Sequence, residues 1–555
     1  MLARSVSSYP RLVIAALLLS ACARATTTPA PTPEPALRPV QQPPITVAPP
    51  PQAPTPTPTA PDTARADWHR LDYDADRVLG VGSERALREL LSSRTPQREV
   101  IVAVIDGGID TAHVSLRSRL WKNRTEVAGN GQDDDKNGYT DDVWGWNLMV
   151  TPTGAAVGAE TFELTRIYAA CRGTAAGRGI AKPSAARCDS LASTYLEKSA
   201  EVNGTLSQIR NIERALSQVT AVLTQAMGPG PLTRARVVAF APANAAQTNA
   251  KQTWLSLDAN GLGEDAIADA LKAYQNQATY GLDTTYYPRA VGVVGSGDVT
   301  GPDALHGTHV AGIIGAERTA GNAVQGIAPN VRLMAVRAVP DGDERDEDVA
   351  RAIRYAVDNG AMVINMSFGK AYSPRKASVD SAVRYAESKG VLLVHAAGND
   401  GENNDVVPSF PTPTLGTNAR ASLWLEVGAS SWKGTSTLAT SFSNYGKQQV
   451  DLFAPGEDIL STAPGGGVKR ESGTSMAAPV VSGVAALLLT YFPKLTPTEV
   501  RDIIVQSVRT FPGLTVTLPG SDGQKAPFAG LSRTGGVIDA YAAVKLALQR
   551  EALRP

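Results

Sequence analysis

Short runs of apolar residues alternate along the chain with segments whose apolar residues recur every three or four positions. Short apolar runs indicate strands that are buried on both faces, and the three-and-four spacing indicates amphipathic helices. The strand runs are 100–105, 331–336, 362–366 and 391–396, and the helical segments are 346–359 and 377–389. The alternation predicts an α/β fold in which a mostly parallel sheet lies between helices, with active groups at the carboxyl ends of the strands.

A long interval between the first two strand runs departs from this alternation. It is largely polar, and a series of apolar residues within it marks one face of a helix. That series is Leu206, Ile209, Ile212, Leu216, Val219, Leu223 and Met227. Residues 162–169 indicate a partner helix. We therefore expect a helical subdomain inserted at residues 152–286; the periodicity disfavours the alternative, a disordered excursion.

The N-terminal part has the composition of an export signal followed by a tether. Residues 12–19 form an apolar run after Arg4 and Arg11, and this run is too short to span a bilayer. Residues 26–63 are rich in Pro, Thr and Ala and nearly uncharged, so they cannot bury enough surface to fold. The expected organisation is a signal peptide at 1–21, a tether at 22–66 and a folded domain at 67–549.

The three cysteines are consistent with an exported chain. Residues 19–21 and Cys22 resemble the bacterial lipobox, whose cysteine is lipidated and anchors the protein to the cell envelope. The residue after the cysteine is Ala23 and not an aspartate. By resemblance to bacterial lipoproteins, this indicates the outer membrane if the cell is Gram-negative. An ordinary signal peptide cut just before Cys22 is the alternative. Cys171 and Cys188 are expected to form a disulfide, with two free buried thiols as the alternative.

The charges of the chain are balanced, with 53 lysines and arginines against 53 aspartates and glutamates. No overall field would therefore attract nucleic acid or an anionic surface. Nucleic acid is not an expected partner, and the oligomeric state is left open.

Three motifs carry groups that suit nucleophilic catalysis. Asp106 follows the first strand run, His306 opens a loop that leads into a helix of small residues, and Ser475 precedes an apolar helix at 480–489. A serine at a helix N-terminus faces free backbone N–H groups and the positive end of the helix dipole, which favour a developing negative charge.

These motifs, in the order Asp, His, Ser, resemble those of the subtilisin-like serine peptidases (subtilases). The similar stretches are 101–110, 306–314, 363–369, 394–400 and 472–489. The resemblance implies a subtilisin-like three-layer sandwich and a serine endopeptidase that acts on exported or extracellular proteins through an acyl-enzyme. Protein or peptide substrates are the expected partners, besides a membrane reached through Cys22. A catalytically idle fold that serves as a binding lipoprotein is the second hypothesis.

The resemblance also implies a role for each site residue. Ser475 is the expected nucleophile, His306 the general base and then acid, and Asp106 the group that orients the imidazole. Asn399 matches the side chain that donates to the oxyanion together with the Ser475 N–H. Two triplets are expected to contact substrate: Ser367, Phe368 and Gly369 as a strand-pairing segment, and Ala396, Ala397 and Gly398 as the wall of an apolar, tolerant pocket.

An acidic stretch at 130–142 begins like a calcium loop. Trp144 occupies the place of the usual final glutamate, so a solvated acidic turn is the alternative. The expected metal ligands are Asp133, Asp135, Asn137, Asp141 and Asp142. Calcium would be structural, and no cofactor is expected for the chemistry. Many secreted subtilases carry an inhibitory folding prodomain before the catalytic aspartate. Here only residues 67–98 could fold ahead of the first strand, so a need for activation by autocleavage is in doubt.

Overall fold

The computed structural model describes residues 64–289, 295–319, 322–416 and 418–554. The expected signal peptide, most of the tether and Cys22 lie outside these residues. Ala64 is buried, its N–H donates to the Asp458 carboxylate at 3.0 Å, and its carbonyl accepts from Arg470 at 2.9 Å. Residue 64 therefore contacts the folded part of the chain.

The strands of the described residues are β1 (Val100–Asp106), β2 (Gly145–Asn147), β3 (Val331–Arg337), β4 (Val363–Met366), β5 (Leu392–Ala396), β6 (Thr414–Leu415), β7 (Ala419–Arg420), β8 (Trp424–Ser430), β9 (Leu452–Pro455), β10 (Ile459–Ala463), β11 (Gly467–Glu471), β12 (Arg509–Thr510), β13 (Thr515–Thr517), β14 (Lys525–Pro527) and β15 (Gly536–Val537). Nine of them form the main sheet in the order β12-β15-β9-β8-β5-β4-β1-β3-β2, and all neighbours are parallel except β12 and β15. The four predicted strands are β1, β3, β4 and β5, so the mostly parallel α/β sheet is confirmed.

Helices cover both faces of this sheet. The α-helices of the described residues, including those of the interval 152–286, are α1 (Tyr73–Asp76), α2 (Ser83–Arg85), α3 (Glu163–Arg172), α4 (Ala185–Met227), α5 (Arg234–Ala239), α6 (Ala245–Ala259), α7 (Glu264–Asn276), α8 (Leu305–Gly315), α9 (Asp346–Asp358), α10 (Lys376–Ser388), α11 (Thr474–Tyr491), α12 (Pro497–Gln506) and α13 (Ala540–Ala552). One apolar core joins the sheet to α8, α11, α12 and α13, and a second core on the opposite face joins it to α9 and α10. The predicted helices 346–359 and 377–389 are confirmed as α9 and α10.

Helix α11 lies at the centre of the first core. Among the described residues it is the one helix that is long and apolar enough to cross a membrane by length and composition, yet all of its residues are buried in the protein. Burial on every side explains its continuous apolar sequence, which lacks the polar face of a surface helix.

Helices α3 to α7 fall within the interval in which we expect a helical insertion. Helix α4 has 43 residues and buries Leu206, Ile209, Leu216 and Leu223, four members of the predicted apolar face. A disulfide joins Cys171 of α3 to Cys188 of α4 with an S–S distance of 2.06 Å. Covalent linkage and apolar packing thus hold the first two helices of this interval together.

One face of helix α7 contacts strand β11 and two loops. Asp269 forms a 2.6 Å ion pair with Lys469 of β11, and Lys272 forms a 3.1 Å ion pair with Asp303, which precedes α8. The side-chain amide of Asn276 donates to the carboxylate of Asp341 at 2.6 Å, in the loop after β3. The interval 152–286 is therefore tied to the edge of the sheet where β1 and β3 end.

A buried charge cluster ties α3 to the loop that follows β4. Lys370 Nζ lies 2.7 Å from a carboxylate oxygen of Glu163 and 2.8 Å from one of Asp346, and Arg166 pairs with the same glutamate at 2.7 Å. All four side chains are almost completely buried. Burial alone would raise the pKa of Glu163, but the charges of Arg166 and Lys370 hold it at about 2.

Candidate active site

Asp106 and His306 form the most clearly built pair of the site. Asp106 is the last residue of β1 and is 1% exposed, while His306 lies in the first turn of α8. Nδ1 of the histidine is 2.9 Å and 3.0 Å from the two carboxylate oxygens. A Cβ atom on Gly307 would stand 3.0 Å from the Asp106 Cβ, so the glycine permits this close approach of α8 to β1.

The bonds between Asp106 and His306 Nδ1 determine which ring nitrogen of the histidine carries the proton. A carboxylate only accepts hydrogen bonds, so Nδ1 carries the proton and Nε2 of the neutral ring is basic. Nε2 is buried and has no hydrogen-bond partner among the residues that the structure describes. Although burial opposes the charged form, the negative charge of Asp106 raises the pKa of His306 above its ordinary value of 6.5.

Ser475 lies in the first turn of α11, where its backbone N–H has no intrahelical acceptor. Its Oγ donates to the Ser367 carbonyl at 3.1 Å, and the Ser367 hydroxyl donates to the Ser475 carbonyl at 2.9 Å. The structure thus brings Ser475 to the carboxyl end of β4, with its hydroxyl directed at Ser367 and not at the imidazole.

Asn399 stands beside the same helix start. Its Oδ1 accepts from the backbone N–H of Thr474 at 2.8 Å and from the Thr474 hydroxyl at 3.0 Å. These two bonds fix the orientation of the amide, because they hold its oxygen towards α11 and leave the NH₂ group as the free donor. A Cβ atom on Gly473 would stand 3.5 Å from Asn399 Nδ2 and 3.6 Å from the Ser475 nitrogen, so both donors border the same glycine.

The two expected substrate triplets follow neighbouring strands. Ser367, Phe368 and Gly369 follow β4, and Ala396, Ala397 and Gly398 end and follow β5. The side chains of Phe368, Ala396 and Ala397 are buried in the protein, so these residues can offer backbone but little side-chain surface. Ser409 was missed in the sequence, since it lies in a loop without periodicity; its Oγ approaches both Gly369 and Gly398.

In the acidic loop, the carboxylates that lie close together are not the same set as the expected metal ligands. Oxygen atoms of Glu126, Asp133 and Asp135 all lie within 4.8 Å of one another. Asp141 instead accepts from two backbone N–H groups, at 2.7 Å and 2.9 Å, and Asp142 accepts from the Tyr355 hydroxyl at 2.7 Å. Asn137 is bound to Asp142 by its side-chain amide at 3.1 Å. Glu126 lies outside the stretch 130–142, and no spacing rule could have added it to the expected ligands.

Comparison with known proteins identifies the class to which this arrangement belongs. The sequence model of the Subtilase family matches residues 97–536. An aspartate, a histidine and a serine, carried by β1, α8 and α11 at one end of a mostly parallel sheet, lie within that match. The chain belongs to the subtilase family.

Individual relatives match over shorter stretches. The chain is 42% identical over 184 residues to the thermophilic serine proteinase of Bacillus sp. (strain AK1), covering 33% of this chain and 42% of the relative. It is 38% identical over 211 residues to subtilisin E of Bacillus subtilis (strain 168), covering 38% of this chain and 51% of the relative. The chain thus spans about half the length of these curated relatives. A solved structure of a cold adapted subtilisin-like serine proteinase shares 34% identity at a TM-score of 0.33, over 39% of this chain and 72% of that one.

Proposed function

We propose that this protein is a serine endopeptidase that hydrolyses peptide bonds through an acyl-enzyme intermediate. The observation that carries the proposal is the pair of bonds between His306 Nδ1 and the Asp106 carboxylate, which leaves the buried Nε2 without a partner among the described residues. A histidine held in this way can take a proton from a hydroxyl group. Membership of the subtilase family supports the same assignment.

Catalysis begins when Ser475 turns from the Ser367 carbonyl to His306 Nε2, by rotation of χ1 between staggered positions. Nε2 takes the proton as Oγ adds to the substrate carbonyl carbon. The charge that develops on the substrate oxygen is stabilised by the Ser475 N–H and Asn399 Nδ2. His306 then gives the proton to the leaving amine, and a water molecule repeats the sequence to release the acid and restore the serine.

A fluorophosphonate probe tests the proposal directly, because it labels a serine only when a neighbouring base activates it. We expect the full-length protein to be labelled and the Ser475→Ala variant to be unlabelled. Absence of labelling of the folded wild type, or equal labelling of the variant, would favour the second hypothesis of a catalytically idle binding protein.

The substrates and location follow from the N-terminal sequence. Residues 19–21 and Cys22 support export and lipid anchoring at the cell envelope, with the outer membrane as the expected site, and hence exported or extracellular proteins as substrates. In fractionated cells the wild type is expected with the membranes and the Cys22→Ser variant outside that fraction. A wild type found free of the membranes would contradict the anchor.

Removal of the oxyanion donor is expected to reduce turnover and to leave substrate affinity nearly intact. Asn399→Ala should lower kcat about 10²–10³-fold with little change in KM, a range known for the corresponding donor of subtilisin, since the NH₂ group meets charge that exists only in the transition state. Asn260→Ala, at an exposed position after α6, is the control. A change in KM without a change in kcat would contradict this role.

A calcium ion at the acidic loop is a further part of the proposal. The oxygen atoms of Glu126, Asp133 and Asp135 are close enough to share one ion, and oxygen ligands of this kind suit Ca²⁺, which would supply stability and no chemistry. A chelator is expected to lower the thermal midpoint by a few degrees, because an ion bound only to the folded state stabilises it. Asp133→Asn should abolish that difference, and Asp522→Asn, at an exposed position outside the acidic loop, should preserve it. An identical midpoint with and without chelator would contradict the site.

A further inference from the structure

Gly107 connects the Asp106 carboxylate to a buried arginine. Its N–H donates to Asp106 Oδ1 at 2.7 Å, and its carbonyl accepts from Arg337 Nε at 2.7 Å. Among the described residues, this N–H and His306 Nδ1 are the two donors to the Asp106 carboxylate. Arg337 therefore holds the residue that, together with His306, orients the carboxylate.

The place of Arg337 in the sheet explains this contact. It is the last residue of β3, it pairs in register with Asp106 at the end of β1, and it is 1% exposed. The next residue, Ala338, donates its N–H to the Asp106 carbonyl at 3.0 Å. Backbone bonds thus fix the main chain of Asp106, whereas the side chain of Arg337 acts on the residue that follows it.

The other donors of the guanidinium bind the start of the interval 152–286 and the chain just before it. Nη1 donates to Asn147 Oδ1 at 3.1 Å and lies 3.5 Å from the Met149 carbonyl oxygen, and Nη2 donates to the Val157 carbonyl. Because these donors lie in one rigid plane with Nε, the position of Gly107 is tied to that of Val157.

The same side chain packs against the loop that precedes α8. A Cβ atom on Gly301 would stand 2.2 Å from Arg337 Nε, so only a glycine lets this loop lie so close. The φ of Gly301 is +63°, in the left-handed region that glycine adopts without strain. His306 follows in the first turn of α8. Arg337 therefore contacts both segments that carry the Asp106–His306 pair.

The burial of this guanidinium is costly. Burial lowers the pKa of Arg337 to about 10, although the charges of Asp298 and Asp303 favour its protonated form; the charge of Arg289 opposes that form. The four oxygen atoms that it meets are neutral, so none of them offsets the cost as a carboxylate would. An apolar side chain of similar length would avoid this cost, but it could not donate to Gly107.

We propose that Arg337 is a positioning residue of the reaction, which holds Gly107 so that the Asp106 carboxylate stays aligned with His306 Nδ1. The proposal rests on the proposed function and adds a residue that touches neither substrate nor the reacting atoms. A displacement of about 1 Å in such a group can cost about 10²-fold in rate.

Substitution of Arg337 in the full-length protein tests the proposal. Arg337→Met should lower kcat about 10–100-fold with KM nearly unchanged, because the substitution acts on the Asp106–His306 pair and not on bound substrate. Rates are divided by the concentration of sites that a fluorophosphonate labels to completion, so misfolded protein does not count. Arg332→Met is the control, since Arg332 lies on the same strand, pairs with Glu99 at a more exposed position and should leave kcat unchanged.

A double-mutant cycle shows whether Arg337 acts through Asp106. In the Asp106→Asn background, Arg337→Met should lower kcat less than about threefold, because the carboxylate that it aligns is already absent. A merely structural role would give the same factor in both backgrounds, and that result would overturn the proposal.

A second variant keeps the test decisive if Arg337→Met fails to fold. The ammonium of Arg337→Lys lacks the planar fork and cannot hold Gly107 and Val157 together, so kcat should fall about three- to tenfold. A folded Arg337→Lys variant with the kcat of the wild type would overturn the positioning role alone. A wild type that neither cleaves peptides nor reacts with the fluorophosphonate would instead overturn the proposed function.

Discussion

Replacing Ser475 with alanine is expected to lower kcat about 10⁶-fold, the size of loss known for removal of the nucleophile in subtilisin. His306→Ala should lose a similar amount, and the double variant little more, because the two side chains perform one step together. Peptide hydrolysis monitored over long times measures these rates. Ser388→Ala, an exposed serine of α10, is the control that should retain full activity. Losses that multiply in the double variant would contradict a shared step.

The pH dependence of the same reaction reports on Asp106. Only the neutral imidazole is a base, so kcat/KM should rise with pH through the pKa of His306, which the negative charge of Asp106 raises above 6.5. Asp106→Asn removes that charge, and the rising limb should move to lower pH. The plateau should fall about 10⁴-fold, as in the equivalent variant of a chymotrypsin-like enzyme, because the ring loses its preferred tautomer. A limb at the same pH in both proteins would contradict the pairing.

Replacing Lys370 with methionine is expected to lower the free energy of unfolding by about 3–5 kcal/mol. The substitution leaves the carboxylates of Glu163 and Asp346 buried, with one positive partner fewer. Urea denaturation followed by fluorescence measures the loss. Lys272→Met is the matched control, since its ion pair with Asp303 is exposed to solvent and such pairs contribute about 1 kcal/mol or less.

A second substitution tests whether the loss comes from unpaired charge. Asp346→Asn in the Lys370→Met background should recover part of the stability, because Asp346 loses its ion-pair partner in that background, whereas Glu163 remains paired with Arg166. If Lys370→Met costs no more than Lys272→Met, the cluster does not stabilise the fold. In the wild type, the low pKa of Glu163 contributes stability that is present above the ordinary value of 4.5 and is lost as the pH falls towards about 2.

The sequence predicted those strands and helices whose apolar pattern extends over several neighbouring residues. β1, β3, β4 and β5 are runs of β-branched and apolar residues, and α9 and α10 keep one apolar face. The strands β2, β12 and β15 have two or three residues, too few for any periodicity, and they join the sheet only through tertiary pairing. The length of α4 was also hidden, because its apolar positions cover only part of its 43 residues.

The residues of the candidate site also fall into two groups, those that a short motif predicted and those that no local pattern marked. Asp106, His306, Asn399 and Ser475 lie in short motifs whose order could be recognised, and their roles stay predictions until activity is measured. Ser409 and Glu126 come close to the other groups only through loop packing, so no local pattern marked them. The rotamer of Ser475 depends on the Ser367 carbonyl, a contact between segments more than a hundred positions apart, which no motif encodes.

The three contacts of α7 have a consequence for engineering. An obvious way to shorten this protein is to excise residues 152–286 and join the ends, as if the helices were an appended module. That cut would deprive Lys469, Asp303 and Asp341 of their partners at once, and Asp303 stands three residues before His306. The two exposed ion pairs contribute about 1 kcal/mol or less each, so their loss matters little, but a minimised version would need a new hydrogen-bond donor for the half-buried carboxylate of Asp341.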